Sequence, residues 1–208
     1  MLTVVNHPVA RAHLTALRDA RLPADQFRHH LLQLSRLMAY PVFCHLEATP
    51  VEVTTPLEVT ARGHAIASPP VLVPILRAGL GMVDGFVDVV PDTVVSHLGM
   101  YRDETTLSPR RYYSNFPGPY RNRPFFVLDP MLATGGSAVA AIDYLKREGA
   151  EHIVLVSIIA AQPGIERVFL CHGDVPIFTA AVDEKLNAEG YILPGLGDAG
   201  DRQFGTVI

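Results

Sequence analysis

From Phe125 to Ala150 the chain reads FFVLDPMLATGGSAVAAIDYLKREGA. An apolar run ends in a carboxylic acid, Asp129, and a loop of small residues follows: Ala133, Thr134, Gly135, Gly136 and Ser137. Paired glycines with a hydroxyl on each side suit a turn that presents backbone N–H groups to a phosphate at a helix start. In open α/β sheets ligands bind outside the carboxyl ends of the strands, where this acid and loop would lie. A second candidate is Arg77, just beyond the apolar run Val71–Leu76 and followed by Gly79 and Gly81. Such an arginine can grip an anion or pair with a neighbouring carboxylate, and the residues alone leave both readings open. A third is the basic, aromatic stretch with Arg102, Arg110, Arg111, Tyr112, Tyr113, Arg121 and Arg123, punctuated by prolines. Its length and weak core pattern suit a lid over an anionic ligand or a hairpin that touches another subunit.

Elements must hold these groups in place. Phe125–Leu128 reads as a buried strand, and Val139, Ile142 and Leu145 set a helical period after the loop. Apolar runs at 71–76, 94–101, 153–161 and 175–181 alternate with helical patterns at 82–89 and 163–170. That alternation predicts a mainly parallel sheet with right-handed crossovers. Residues 1–40 read as two helices, opened by Pro8 and Pro23 and closed by Tyr40-Pro41. In 42–68, Val51 and Val53, then Leu57 and Val59, alternate with polar residues, as in a β-ribbon. The tail at 191–206 carries Gly195, Gly197 and Gly200 as G-x-G-x-x-G. With no βαβ start before it, this is no dinucleotide fingerprint. Its glycines suit close backbone approach to a flat ligand, and the segment is too glycine-rich for a core element.

The chain has 208 residues and a net charge of −4, so a single domain is expected, without the broad basic footprint of a nucleic-acid binder. Only Lys146 and Lys185 are lysines. This arginine bias is as readily a matter of coding composition as of chemistry. Cys44 and Cys171 fit no metal or disulfide pattern and read as buried or inert thiols. His29 and His30 are adjacent, so they point to different faces and read as helix surface. No apolar run reaches membrane-spanning length and the N-terminus lacks a signal pattern. The expectation is a cytoplasmic protein with no membrane or nucleic-acid partner.

Four segments carry a resemblance: LDPMLATGGSA, VPILRAGLGM, GMYRDETTL and YILPGLGDAGDRQFGT. In this order they resemble the uracil phosphoribosyltransferase family of the type I phosphoribosyltransferases. The resemblance spans nearly the whole chain and is thinnest over 42–68 and 108–124. It implies an α/β fold: a central mainly parallel sheet flanked by helices, with N-terminal helices and a projecting arm or lid at about 103–124. It also implies transfer of a phosphoribosyl group from 5-phosphoribosyl 1-diphosphate to uracil, giving UMP and diphosphate in pyrimidine salvage. Most type I loops have two adjacent acids; here Pro130 follows Asp129, the form of the uracil enzymes.

By that resemblance, Asp129 accepts the ribose hydroxyls, and the loop Pro130, Met131, Leu132, Ala133, Thr134, Gly135, Gly136 and Ser137 holds the 5′-phosphate end of the sugar donor. Arg77 and Arg102 bind its diphosphate. Asp198 faces the diphosphate through magnesium or its waters. The base is read by Ile192, Gly197, Asp198 and Ala199, mostly through main-chain groups. Mg2+ is the implied cofactor, GTP a candidate allosteric activator as in some relatives, and a homodimer or higher homo-oligomer the implied assembly. Two rivals stand beside this reading: the same fold acting on another base, and a non-catalytic regulator that senses nucleotides.

Overall fold

The computed structural model describes residues 1–102, 109–116 and 123–206, the side chains of Arg102 and Pro109 excepted. The N-terminus forms β1 (Leu2–Val4), α1 (Pro8–Arg18) and α2 (Ala24–Val42). A two-stranded ribbon follows, β2 (Ala48–Thr54) and β3 (Thr60–Ile66). Next come β4 (Val71–Leu76), α3 (Leu80–Val87), β5 (Val94–Val95), β6 (Leu98–Arg102) and β7 (Pro109–Ser114). The loop segment is β8 (Pro124–Leu128), β9 (Met131–Leu132) and α4 (Gly136–Arg147). The C-terminal part holds β10 (His152–Ala161), α5 (Gln162–Cys171), β11 (Ile177–Asp183), β12 (Lys185–Leu186), β13 (Ile192–Leu193) and α6 (Ala199–Phe204).

The main sheet runs β1-β11-β10-β8-β4-β6-β7, with β5 added to β4 and β9 to β10. All its pairings are parallel except β6 with β7. Strands buried on both faces alternate their side chains between two cores. Phe126, Leu128, Val154 and Val156 face a core with α1, α2 and α3. Phe125, Val127, Ile153 and Leu155 face the core with α4 and α5. Phe125 and Phe126 are both fully buried, each contributing about 1.5–3 kcal/mol by leaving water. Two helical layers therefore fix the β8 end from both sides. No helix among the described residues is long and apolar enough to cross a membrane.

Several expectations shift. The N-terminal stretch begins with a short strand before its helices, and α2 runs through Pro41 to Val42. In the last turn proline costs one hydrogen bond while its φ stays helical, so the apolar face carrying Val42 into the core prevails. Leu57 and Val59 belong to the ribbon's turn, where Glu58 sits at φ 59°; the second strand starts at Thr60. The run at 94–101 splits into β5 and β6, and β11 starts two residues later than its apolar run. The tail is not free of regular structure: it contains α6, whose Ala199, Gly200 and Gln203 are buried.

Candidate active site

Asp129 follows β8, and its N–H donates to Val156 C=O at 3.1 Å. Its half-buried carboxylate accepts one hydrogen bond, from Met131 N–H at 3.3 Å. Burial pushes the acid up to about 6, and the Met131 N–H offsets part of that rise. Among the described residues no cation pairs with it. This carboxyl group is placed to gain from hydroxyl donors that stabilise its ionised form.

The loop beyond is clamped. Pro130 C=O accepts from Ile158 and Ile159 N–H at 3.1 and 3.0 Å, and β9 pairs with Ile159–Ala160. Ala133 N–H donates to Met131 C=O at 3.0 Å. The N–H groups of Thr134, Gly135, Gly136 and Ser137 donate to no described residue. Gly135 caps α4 at φ 75°, a conformation that glycine adopts without strain. A methyl on Gly164, at the start of α5, would lie 2.5 Å from Ala133 O and 2.8 Å from Leu132 O. The loop thus lies directly against α5. The first turn of α4 holds no acid, and its last turn holds Lys146 and Arg147. Its positive end is left for an anion.

Arg77 follows β4 across a cis peptide bond. A side chain on Gly79 would strike Leu128 O, so this loop sits on the end of β8, one residue from Asp129. Arg77 Nη2 lies 3.3 Å from Asp201 Oδ1, with its side chain 59% exposed. The carboxylate-pairing reading is therefore realised. An ion pair this exposed is worth at most about 1 kcal/mol, so a diphosphate can displace it. Arg102 ends β6, at the same carboxyl edge of the sheet. Its side chain, and the arm at 103–108 and 117–122, lie outside the described residues. The root of that arm is fastened to β8 and α4: Phe116 stacks on Phe125 at 5.6 Å, and Ser114 Oγ meets Tyr144 OH at 3.0 Å. Arg111 covers the Tyr144 ring at 4.1 Å.

The tail reaches the site by distant ties. Asp198 caps α6, accepting Asp201 N–H at 2.9 Å. The buried Gln203 donates to Ala78 C=O at 2.9 Å, docking α6 on the Arg77 loop. Arg18 of α1 grips Asp183 through two hydrogen bonds, at 2.7 and 2.6 Å, and donates to Gly195 C=O at 2.8 Å. Asp183 in turn accepts Gly195 N–H at 3.0 Å. Arg202 donates to Leu196 C=O at 2.8 Å and to Leu17 and Asp19 carbonyls, and Arg28 to Gln203 C=O at 2.7 Å. Ile192 is buried on β13; Gly195 and Gly197 take φ of 61° and 75°. The turn before β13 brings Gly190 to the loop at 133–137, where a methyl on it would lie 3.7 Å from Thr134 Cγ2.

Asp129, the loop, Arg77, Asp198, Ala199 and Ile192 thus lie in segments that abut at one end of the sheet. Sequence reasoning did not find Arg18, Asp183, Arg28, Arg202 or Gln203, which hold the tail. Their partners are far away in the chain, and the arginine bias hid them. A cavity of about 570 Å3 at the opposite end, among His45, Glu47, His152 and Asp174, borders none of the expected site residues.

A family model described as uracil phosphoribosyltransferase matches residues 4–206. A uracil phosphoribosyltransferase of Dictyoglomus thermophilum is 50% identical over 207 residues, 99% of this chain and 100% of that protein. One from an Exiguobacterium species is 50% identical over 203 residues, 98% and 97% of the two chains. Among solved structures, an Aquifex aeolicus protein superimposes with a TM-score of 0.94 at 34% identity, covering 100% of both chains. An adenine phosphoribosyltransferase of Leishmania donovani shares the fold alone, with a TM-score of 0.59 at 11% identity over 91% and 86% of the chains. This chain belongs to the uracil phosphoribosyltransferase family.

Proposed function

We propose that the protein transfers the phosphoribosyl group of 5-phosphoribosyl 1-diphosphate to uracil, giving UMP and diphosphate. The observation that carries this reading is a half-buried carboxylate, Asp129, that no cation among the described residues pairs with, next to a loop with four N–H groups that donate to no described residue. It occurs in a chain that matches its family from residue 4 to 206. Asp129 accepts the ribose 2′- and 3′-hydroxyls. Ala133–Ser137 hold the 5′-phosphate through N–H groups and the Thr134 and Ser137 hydroxyls. Arg77 leaves Asp201 to take the diphosphate, joined by Arg102. As the bond at ribose C1 lengthens, positive charge grows on the sugar and negative charge on the leaving group, and these arginines stabilise the latter. No protein nucleophile is required.

Bound magnesium would neutralise charge on the diphosphate. Among the described residues no three metal-ligating side chains converge. A hard oxygen donor, Asp198, beside diphosphate oxygens and water suits Mg2+, which keeps several waters and enters with phosphates. The donor set fits a metal carried by the substrate. Main-chain groups of Ile192, Gly197 and Ala199 read uracil's acceptor–donor–acceptor edge. A wrong base would leave buried groups unpaired, at about 1–3 kcal/mol each. Activation by GTP, a homodimer and a cytoplasmic location complete the reading; rates with and without GTP and light scattering check the first two.

The test supplies magnesium, the sugar donor and one of uracil, cytosine, hypoxanthine or orotate. Consumption of uracil alone supports the reading. Consumption of another base, or of none, overturns it in favour of a relative acting elsewhere or a nucleotide sensor.

A further inference from the structure

We propose that Arg167, on α5, is an additional ligand of the sugar donor's 5′-phosphate; this rests on the assignment of Ala133–Ser137 as the phosphate loop. Arg167 belongs to none of the segments that carried the family resemblance. Its backbone is fixed against the loop: a methyl on Gly135 would lie 3.3 Å from Arg167 Cβ and 2.8 Å from Gly164 O. Its guanidinium lies along the first turn of α4, where a methyl on Gly136 would be 3.6 Å from Nη1 and 3.9 Å from Cζ. The same point is 3.8 Å from Thr134 Oγ1, so guanidinium and hydroxyl flank one glycine.

Electrostatics make this position informative. The N-terminus of α4 carries the positive end of the helix dipole, and a cation beside it is repelled. No acid in the first turn of α4 compensates. Among the described residues Arg167 makes no hydrogen bond and no ion pair. Glu166, the acid next to it, takes its hydrogen bond from Gln162 at 2.9 Å. Two sources of positive potential thus converge, unneutralised, on one loop of free N–H groups. A dianionic phosphate relieves both and presents the oxygens a guanidinium fork accepts. The arginine is exposed, so it can swing onto the phosphate without breaking a pair with any described residue.

The experiment compares wild type with Arg167→Ala and Arg167→Lys by steady-state kinetics, varying sugar donor and uracil in turn, and by calorimetric titration with ribose 5-phosphate. A charge-assisted contact predicts a rise of about tenfold in the donor KM and in the ribose 5-phosphate Kd of the alanine variant. The lysine variant should recover part of this, with kcat and the uracil KM unchanged. A donor KM and a Kd within twofold of wild type overturn the proposal, as does an equal rise in the uracil KM, which would mean a deformed site. If wild type transfers nothing to uracil, the proposed activity fails, while the ribose 5-phosphate titration still decides whether Arg167 holds a phosphate.

Discussion

The phosphate loop and the tail meet at the same end of the sheet but are built in opposite ways. The loop at 129–137 is held by near neighbours: β8 before it, α4 after it, and β10 and α5 beneath it. Its conformation follows from a strand, two glycines and a helix in direct succession. The tail at 191–206 is held by side chains from the far end of the chain. Arg18 reaches Asp183 and Gly195, Arg28 reaches Gln203, and Arg202 returns to Leu17 and Asp19. This difference implies a division of labour. On the proposed roles, grip on the sugar phosphate would be a local property, whereas base recognition would depend on the N-terminal helices that hold the tail.

Perturbations of either side should separate the two. The largest effect belongs to Asp129→Asn, which removes the ionised acceptor of the ribose hydroxyls. Turnover should fall about 10²–10⁴-fold, the loss of two hydrogen bonds to a charged group. Stability should move the other way. The folded pKa of about 6 lies above the ordinary 3.8, so the native acid is stabilising below about pH 4 and loses that contribution as pH rises through 6. The variant should therefore melt higher than wild type at pH 7.5 and equally at pH 3.5, as read by thermal denaturation. Donor binding by wild type should strengthen as pH rises through about 6, and the asparagine variant should lack that dependence.

Arg18→Ala comes next. It leaves Asp183, 7% exposed, without its cation. Unfolding free energy should drop by about 3 kcal/mol in denaturant titrations. The uracil KM should rise about tenfold and the donor KM by less, through Asp198 and α6, while the ribose 5-phosphate Kd stays put, because the tail loosens and the loop at 133–137 does not. Gly164→Ala attacks the loop instead, by forcing a methyl to 2.5 Å from Ala133 O. The donor KM should rise several-fold with little change in the uracil KM, and a matching change in both would break the separation. The smallest effect is Asp201→Asn, which frees the exposed Arg77. Stability should change by less than about 1 kcal/mol, and the donor KM should stay level or fall slightly.

The same contrast explains what was legible in the sequence. The β8–loop–α4 unit could be read because each part is set by residues within a turn or two, and the parallel sheet followed from alternating strands and helices. In the tail, Asp198 with Asp201 three residues on carried a helix-start signal, but three surrounding glycines masked it and α6 went unread. The Arg18–Asp183 tie could not be read, since nothing local links residues 165 positions apart. Arg167 was invisible for a similar reason: only the packing of α5 on Gly135 brings it to the loop.

The most direct test of the division of labour is calorimetric titration of Arg18→Ala with ribose 5-phosphate and with UMP, beside wild type. The account predicts a ribose 5-phosphate Kd within twofold of wild type and UMP binding weakened about tenfold, the cost of a loosened base site alone. Equal weakening of both ligands would contradict it, showing that phosphate grip and base recognition rest on one shared scaffold.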